Sequence, residues 1–396
     1  MKRAAFFFGA GISKASGKPL ASEITERALR TQWHLTSKND FLPGPEPSFA
    51  PSDSVTPAVQ RFLTILYSIS GEYILELSRT PVPRKAHYED LFSLAEQAFR
   101  PASDHVPNLA VVEFLRRLRA ETFSLHTGFR WDGSGGVGFA GLAEAACDFL
   151  HAVVHHLLTA GDNPRAGLDV IPAAARCVDE VDIFTLNHDL LIESQCHAEG
   201  IAYEDGFANR RGEIDAFSFW SHDAREKVRL FKLHGSVNWY LYEFSGHERQ
   251  YGIPRNGPYH SKDENGRALA PLLGGKAAFL SGTIVKEQHY GNGLFGELFS
   301  EFRQHLRYHK HLICCGYGFG DTGVNNRLLQ WLCDSMNGSN RLVILHDTSE
   351  TRESELFDNA PIWLTQMRSK GRVILHSAWL ANCKVADLES YFDRVP

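Results

Sequence analysis

Histidine, asparagine, aspartate and serine collect at a few places in this chain, each time just after a short apolar run. His234-Gly235-Ser236 follows the run 229–233, and Asn187-His188-Asp189 follows 181–186. Gly9-Ala10-Gly11-Ile12-Ser13 follows 4–8, and Gly316-Tyr317-Gly318-Phe319-Gly320-Asp321 follows 311–315. An imidazole moves protons near neutral pH, which makes His234 a candidate base. On extended backbone Asn187 and Asp189 face one side and His188 the other, so an amide and a carboxylate can meet one ligand. A glycine loop after a strand allows a tight turn and the approach of backbone N–H groups to a phosphate. Each group also has an ordinary reading. Asp189 can cap a helix starting at Leu190, His234 can be structural, and the first glycine loop can be a plain strand–helix turn.

The elements that position these residues follow from periodicity. Runs 4–8, 181–186, 229–233, 311–315, 341–345 and 372–375 read as strands. Helices are expected at about 19–30, 190–197, 294–307, 325–336, 351–369 and 385–393. This alternation predicts an α/β fold, a Rossmann-like parallel sheet flanked by helices. Open parallel sheets bind ligands beyond the carboxyl ends of their strands, and four of the six expected strands end in these clusters. Asp347, just past the run 341–345, could accept a bond from a ribose hydroxyl or cap a turn. Stretches 58–77, 88–99, 108–118 and 139–158 keep helical spacing. Residues 36–164 therefore read as a large all-helical insertion after the first helix, and 1–35 with 165–396 as the sheet domain. Residues 133–138 are expected to form a mobile glycine loop, and 244–292 a long connection with one or two short strands.

Composition narrows the classes. The 396 residues carry a formal charge of −6, which argues against a broad nucleic-acid-binding face. Seven cysteines without a C-x-x-C pair point to reduced thiols in a cytosol-like compartment. The adjacent Cys314 and Cys315 read as core residues. Lys2 and Arg3 precede an apolar run too short and too glycine-broken for a signal peptide. No run reaches the ~20 apolar residues of a membrane span, so a cytoplasmic protein is expected. His151, His155 and His156 lack the glutamate of H-E-x-x-H, and no metal site is expected there.

Taken together, the four strand-end motifs resemble those of the sirtuin superfamily. Gly9-Ala10-Gly11-Ile12-Ser13 with Ser16, Gly17 and Pro19 resembles its NAD-binding loop. Thr185-Leu186-Asn187-His188-Asp189 resembles its T-x-N-x-D segment, and Leu233-His234-Gly235-Ser236 its L-H-G-S. Gly316–Asp321 followed by Asn325 resembles the late glycine loop of the sirtuin-like NADase branch, as does Tyr203-Glu204-Asp205-Gly206-Phe207. Deacetylase sirtuins carry a zinc module of two C-x-x-C pairs after the histidine. This chain has none, and it has Leu20-Ala21 where they place Phe-Arg.

The resemblance therefore implies a zinc-less NADase of bacterial anti-phage defence, cleaving NAD+ to nicotinamide and ADP-ribose and emptying the cell of NAD. Ala10, Gly11 and Ile12 would hold the diphosphate through their N–H groups, aided by the dipole of the following helix. Asn187 would position ribose and water, Asp189 would bind the carboxamide, and His234 would act as base. Ser236, Gly316, Gly318 and Asp321 would line the ribose and adenosine side. Control by self-association, by a HerA-type ATPase or by an Argonaute-like protein is implied as well. A protein deacylase, an ADP-ribosyltransferase or a non-catalytic NAD or ADP-ribose sensor are the alternatives.

Overall fold

Phe6, Phe7 and Phe8 are all fully buried, which one strand can achieve only if both faces of its sheet are covered. The computed structural model describes residues 1–45, 53–77, 84–99, 111–161, 167–218, 226–283, 286, 289–291, 293–334, 338–347, 356–357 and 360–394. Strand β1 (Lys2–Phe8) lies at the centre of a parallel sheet. The others are β2 (Glu180–Thr185), β3 (Tyr203–Glu204), β4 (Val228–Lys232), β5 (His311–Cys315), β6 (Arg341–Leu345) and β7 (Val373–His376). Their order is β7-β6-β5-β1-β2-β4-β3, and a short strand β8 (Asp393–Arg394) pairs antiparallel with β1.

Alternation along β1 divides the core. Ala5 and Phe7 join Leu298, Phe302 and Leu328 on one face, whereas Ala4, Phe6 and Phe8 join Ile171, Ala174 and Ile192 on the other. The helices supplying these residues include α1 (Leu191–Ala198), α2 (Gly293–Leu306) and α3 (Thr322–Cys333). Each fully buried phenylalanine contributes about 1.5–3 kcal/mol of hydrophobic stabilisation. The expected α/β class is what the structure shows. Strand β3 went unforeseen, because two residues carry no readable periodicity.

The chain lays β2, β3 and β4 on one side of β1 and then returns to place β5 on the other. The strand order thus reverses at β1 and β5, where doubly wound sheets open a ligand crevice at their carboxyl ends. Both glycine-rich loops leave the sheet there.

By its internal contacts the chain forms two compact units. The sheet unit contains Met1–Lys18, Gly161–Leu280 and Glu287–Pro396; the other contains Pro19–Ala160 and Ser281–Lys286. This second unit is built on helices Ala21–Arg30, Val55–Leu77, Tyr88–Phe99, Val112–Glu121 and the largely buried Gly138–Thr159. It also holds two small hairpins, Trp33–Leu35 with Phe41–Pro43 and Arg130–Trp131 with Gly136–Val137. Within 133–138, expected as a mobile glycine loop, Gly133 and Gly135 form the turn of a hairpin, Gly136 lies in its second strand, and Gly138 opens the following helix. Gly136 packs so closely on Gly141 that an added Cβ would stand 2.9 Å from it.

Within 244–292, expected as a long connection with one or two short strands, Arg249–Pro254 is a strand, and it joins Tyr240–Glu243, Ile214–Ala216 and Asn209–Arg211 in an antiparallel sheet. Its fully buried Tyr242 and Phe244 supply an apolar face. None of the seven cysteines is in a disulfide, and Cys314 and Cys315 are buried in the core as expected. No helix among the described residues is long and apolar enough to cross a membrane.

Candidate active site

The two glycine loops interlock. Gly9 donates its N–H to the Cys315 carbonyl (3.0 Å), and Gly11 to the Gly316 carbonyl (3.0 Å). A Cβ on Gly9 would stand 2.5 Å from the Gly316 oxygen, and one on Gly316 would stand 2.5 Å from the Ile12 nitrogen. These glycines are required by each other's backbone. Ile12 donates to the Gly9 carbonyl (3.2 Å), so of the three N–H groups expected to hold a diphosphate, those of Gly11 and Ile12 are already engaged. The loop continues into a 3-10 helix (Ala10–Ser16) closed by Gly17 in the left-handed region. The first α-helix starts only at Ala21, so no α-helix N-terminus directly follows the glycines. Ala10 and Gly318 remain exposed at this edge.

Gly316 combines that close approach with φ +68, a left-handed backbone costly for any other residue. Gly316→Ala is expected to destabilise the protein by about 2 kcal/mol or more. Urea denaturation followed by circular dichroism checks this, and an unchanged midpoint would contradict the interlock.

Ser13 joins the ends of β1 and β2. Its hydroxyl donates to Asp189 Oδ2 (2.7 Å) and accepts from Asn187 Nδ2 (3.0 Å). Asn187 and Asp189 thus share a side, as extended geometry requires, and His188 lies against the Phe279 ring (4.8 Å between centroids). Asp189 Oδ1 accepts the Leu191 N–H (3.1 Å). Asp189 stands one residue ahead of Leu190, which is the N-cap of α1, so it is not the cap expected for a helix starting at Leu190. The Asn187 Oδ1 atom is buried and accepts no hydrogen bond from the described residues.

Beneath this set Lys232, 2% exposed, reaches the Asp189 carbonyl and Glu193 Oε1 (2.7 Å). Burial holds Lys18 below the usual lysine range, with the Asp189 charge opposing. Asp205 is pushed up to about 6, mainly by burial, with the Glu193 charge adding to the rise and the Phe207 N–H opposing it.

His234 follows β4 in a tight turn. Gly235 has φ +81, and a Cβ there would stand 2.2 Å from the Ala278 oxygen. Residues 278–280 are fastened across the turn: Leu280 donates to the His234 carbonyl (2.8 Å), and Ser236 donates its N–H to Ala278 (3.1 Å). Ser236 is fully buried, its hydroxyl on the His188 carbonyl (3.3 Å). It ties the two loops together and does not stand on the edge itself.

The His234 ring meets two oxygens. Nε2 lies 2.8 Å from the Tyr290 hydroxyl and 3.2 Å from Asp321 Oδ2, and the same hydroxyl donates to Asp321 Oδ2. Asp321 Oδ1 caps α3 through the Val324 N–H (2.9 Å). Its carboxylate therefore faces the histidine. Asn325 braces this loop, donating to the Phe319 carbonyl (2.7 Å) and accepting from the Tyr317 hydroxyl (3.0 Å).

Sequence reasoning passed over Tyr290. It stands in the stretch taken as a connection, and only the nearby glycines at 291 and 293 hinted at a shaped loop. Asp347 sits half-buried past the end of β6, on the same sheet edge. Among the described residues no group of three or more His, Cys, Asp or Glu side chains is placed to hold a metal ion.

A seven-stranded parallel sheet with these loops at its switch point defines a Rossmann-like α/β protein with a polar carboxyl edge. Residues 181–362 match the model of the SIR2-like domain family, a span that carries Asn187, Asp189, His234, Tyr290 and Asp321. The match supports a sirtuin-like family, whose SIR2-like members act on NAD+. No match is found among curated proteins.

Proposed function

We propose that the chain is an NAD+ glycohydrolase, which uses water to break the nicotinamide–ribose bond and releases nicotinamide, ADP-ribose and a proton. The observation that carries this reading is the joined set Ser13, Asn187 and Asp189, drawn from the ends of two neighbouring strands. It lies beside the loop of His234, whose ring is 6.2 Å from that of His188 between centroids. Cleavage develops oxocarbenium-like charge on the ribose, so catalysis rests on alignment of sugar, leaving group and water.

In this reading Asn187 Oδ1, which has no partner among the described residues, accepts from the attacking water or a ribose hydroxyl. Asp189, with each oxygen already accepting one bond, fixes Asn187 through Ser13. His234 takes the proton released by the hydroxyl or the water. Exposed Ala10 and Gly318, where a Cβ on the glycine would meet nothing within 4 Å, leave backbone open to the diphosphate. Asp347 is assigned to the far ribose. NAD+ consumption by such a site suits abortive infection. We extend the proposal to anti-phage defence, with restraint by self-association or by a HerA-type or Argonaute-like partner.

The test is Asn187→Ala. Losing both the amide acceptor and the tie to Ser13 should lower NAD+ cleavage by about 10- to 100-fold, with far-UV circular dichroism unchanged. Wild-type turnover in a folded Asn187→Ala protein would end this assignment.

A further inference from the structure

We propose that Tyr290 is a positioning residue for His234, fixing the imidazole with its proton on Nε2 so that Nδ1 is the basic nitrogen. Counting protons leads to this arrangement. The Tyr290 hydroxyl lies within hydrogen-bond reach of both Nε2 (2.8 Å) and Asp321 Oδ2, and Nε2 is also 3.2 Å from that carboxylate oxygen. A phenol has one proton, and an ionised carboxylate is the stronger acceptor, so the proton goes to Asp321. The Tyr290 oxygen then presents a lone pair to Nε2, as Asp321 does. A lone pair on Nε2 would face both oxygens without a proton between them, whereas an N–H satisfies the triangle. In a neutral imidazole the nitrogen that donates determines which nitrogen is basic.

The seat of Tyr290 is built for it. Its ring stacks on Phe299 at 3.7 Å between centroids and lies within 17° of parallel to the His234 ring. On the α3 side stands Gly323, where an added Cβ would come within 2.4 Å of the Tyr290 ring. Glycine in a helix costs about 1 kcal/mol relative to alanine, and here it makes room for the phenol. Asp321 is held in turn by the Val324 N–H. The titratable groups facing the His234 ring, among the described residues, are Tyr290, Asp321 and His188, and Phe299 covers it with an apolar surface.

The role rests on the NAD-cleaving reading only in its consequence, that Nδ1 receives the proton during turnover. Its test does not depend on turnover. Imidazole 15N spectra of the histidine-labelled full chain report which nitrogen carries the proton, and the His234 signals are identified by their loss in His234→Gln. Wild-type His234 should be the Nε2–H tautomer at neutral pH. Tyr290→Phe keeps the ring in its seat and lets Nε2–H pair with Asp321 alone, so the titration midpoint should rise by about half a pH unit or more.

A neutral His234 protonated on Nδ1, or a midpoint unmoved by Tyr290→Phe, overturns the proposal. If the wild-type protein cleaves NAD+, the acidic limb of kcat should move the same way in Tyr290→Phe; an equal loss at every pH would show a merely structural tyrosine. If it cleaves none, the spectra still decide the role of Tyr290, and the glycohydrolase reading falls alone.

Discussion

His234→Ala is expected to lower NAD+ cleavage by about 10²- to 10⁴-fold, the range a positioned acid–base group supplies. The side chain is 3% exposed and its neighbours are placed around it. Tyr290 and Asp321 hold Nε2, Phe299 lies over the ring, and Leu280 and Gly235 fix the backbone. Alanine removes the group at this position able to take up a proton near neutral pH, and leaves those neighbours in place. The backbone bonds from Leu280 and Gly235 do not involve the imidazole, so the turn should persist. Nicotinamide release measured against thermal unfolding separates the two effects. A near-native unfolding temperature with turnover reduced by less than about tenfold would remove His234 from the base role.

Asp182→Ala is expected to cost about 3–5 kcal/mol of stability, the usual consequence of removing one partner from a buried charge set. Asp182 is fully buried on β2, towards the amino end of the sheet. Its carboxylate accepts from Arg229 Nε (2.6 Å), His309 Nε2 (2.8 Å) and His305 Nδ1 (3.1 Å). Burial alone would raise its pKa, but the two histidine bonds and the charges around it hold it far below the usual carboxylate range. For His305 burial lowers the pKa, and the bonds to Asp182 and Glu301 outweigh it and raise the imidazole above its ordinary value near 6.5.

The signs give two windows. The Asp182 contribution is present above about pH 4 and is lost as pH falls through the lowered folded value. The His305 contribution is present in full below about pH 6.5 and is lost as pH rises through the raised folded value. Wild-type stability should therefore decline as pH rises past 6.5. Asp182→Ala should flatten that decline because His305 loses its partner. Urea titrations at several pH values check both, and a stability loss under about 1 kcal/mol would contradict the cluster's role.

The strands that carry the edge were legible because they are short apolar runs broken by Gly, Asn, His or Asp. Asn187 and Asp189 were placed on one side by period-two geometry alone, and Ser13 is where they meet. What could not be read was which backbone approaches which. The glycines at 9 and 11 suggested a phosphate, yet their close neighbour is Gly316. The resemblance placed Ser236 on the ribose and adenosine side, although its hydroxyl is spent on the His188 carbonyl. Asp321 read as a polar residue at a strand end, and no spacing rule links it to a histidine far earlier in the chain. Tyr290 left no periodic trace, since one aromatic in a connection has no face to declare.

Incubating the purified full chain with NAD+ and measuring nicotinamide and ADP-ribose together, with and without a peptide acceptor, tests glycohydrolase activity most directly. Hydrolysis predicts equimolar nicotinamide and free ADP-ribose, independent of acceptor and lowered by about 10²- to 10⁴-fold in His234→Ala. Nicotinamide released only when acceptor is present, with ADP-ribose or an acyl group carried to or from the peptide, would contradict it.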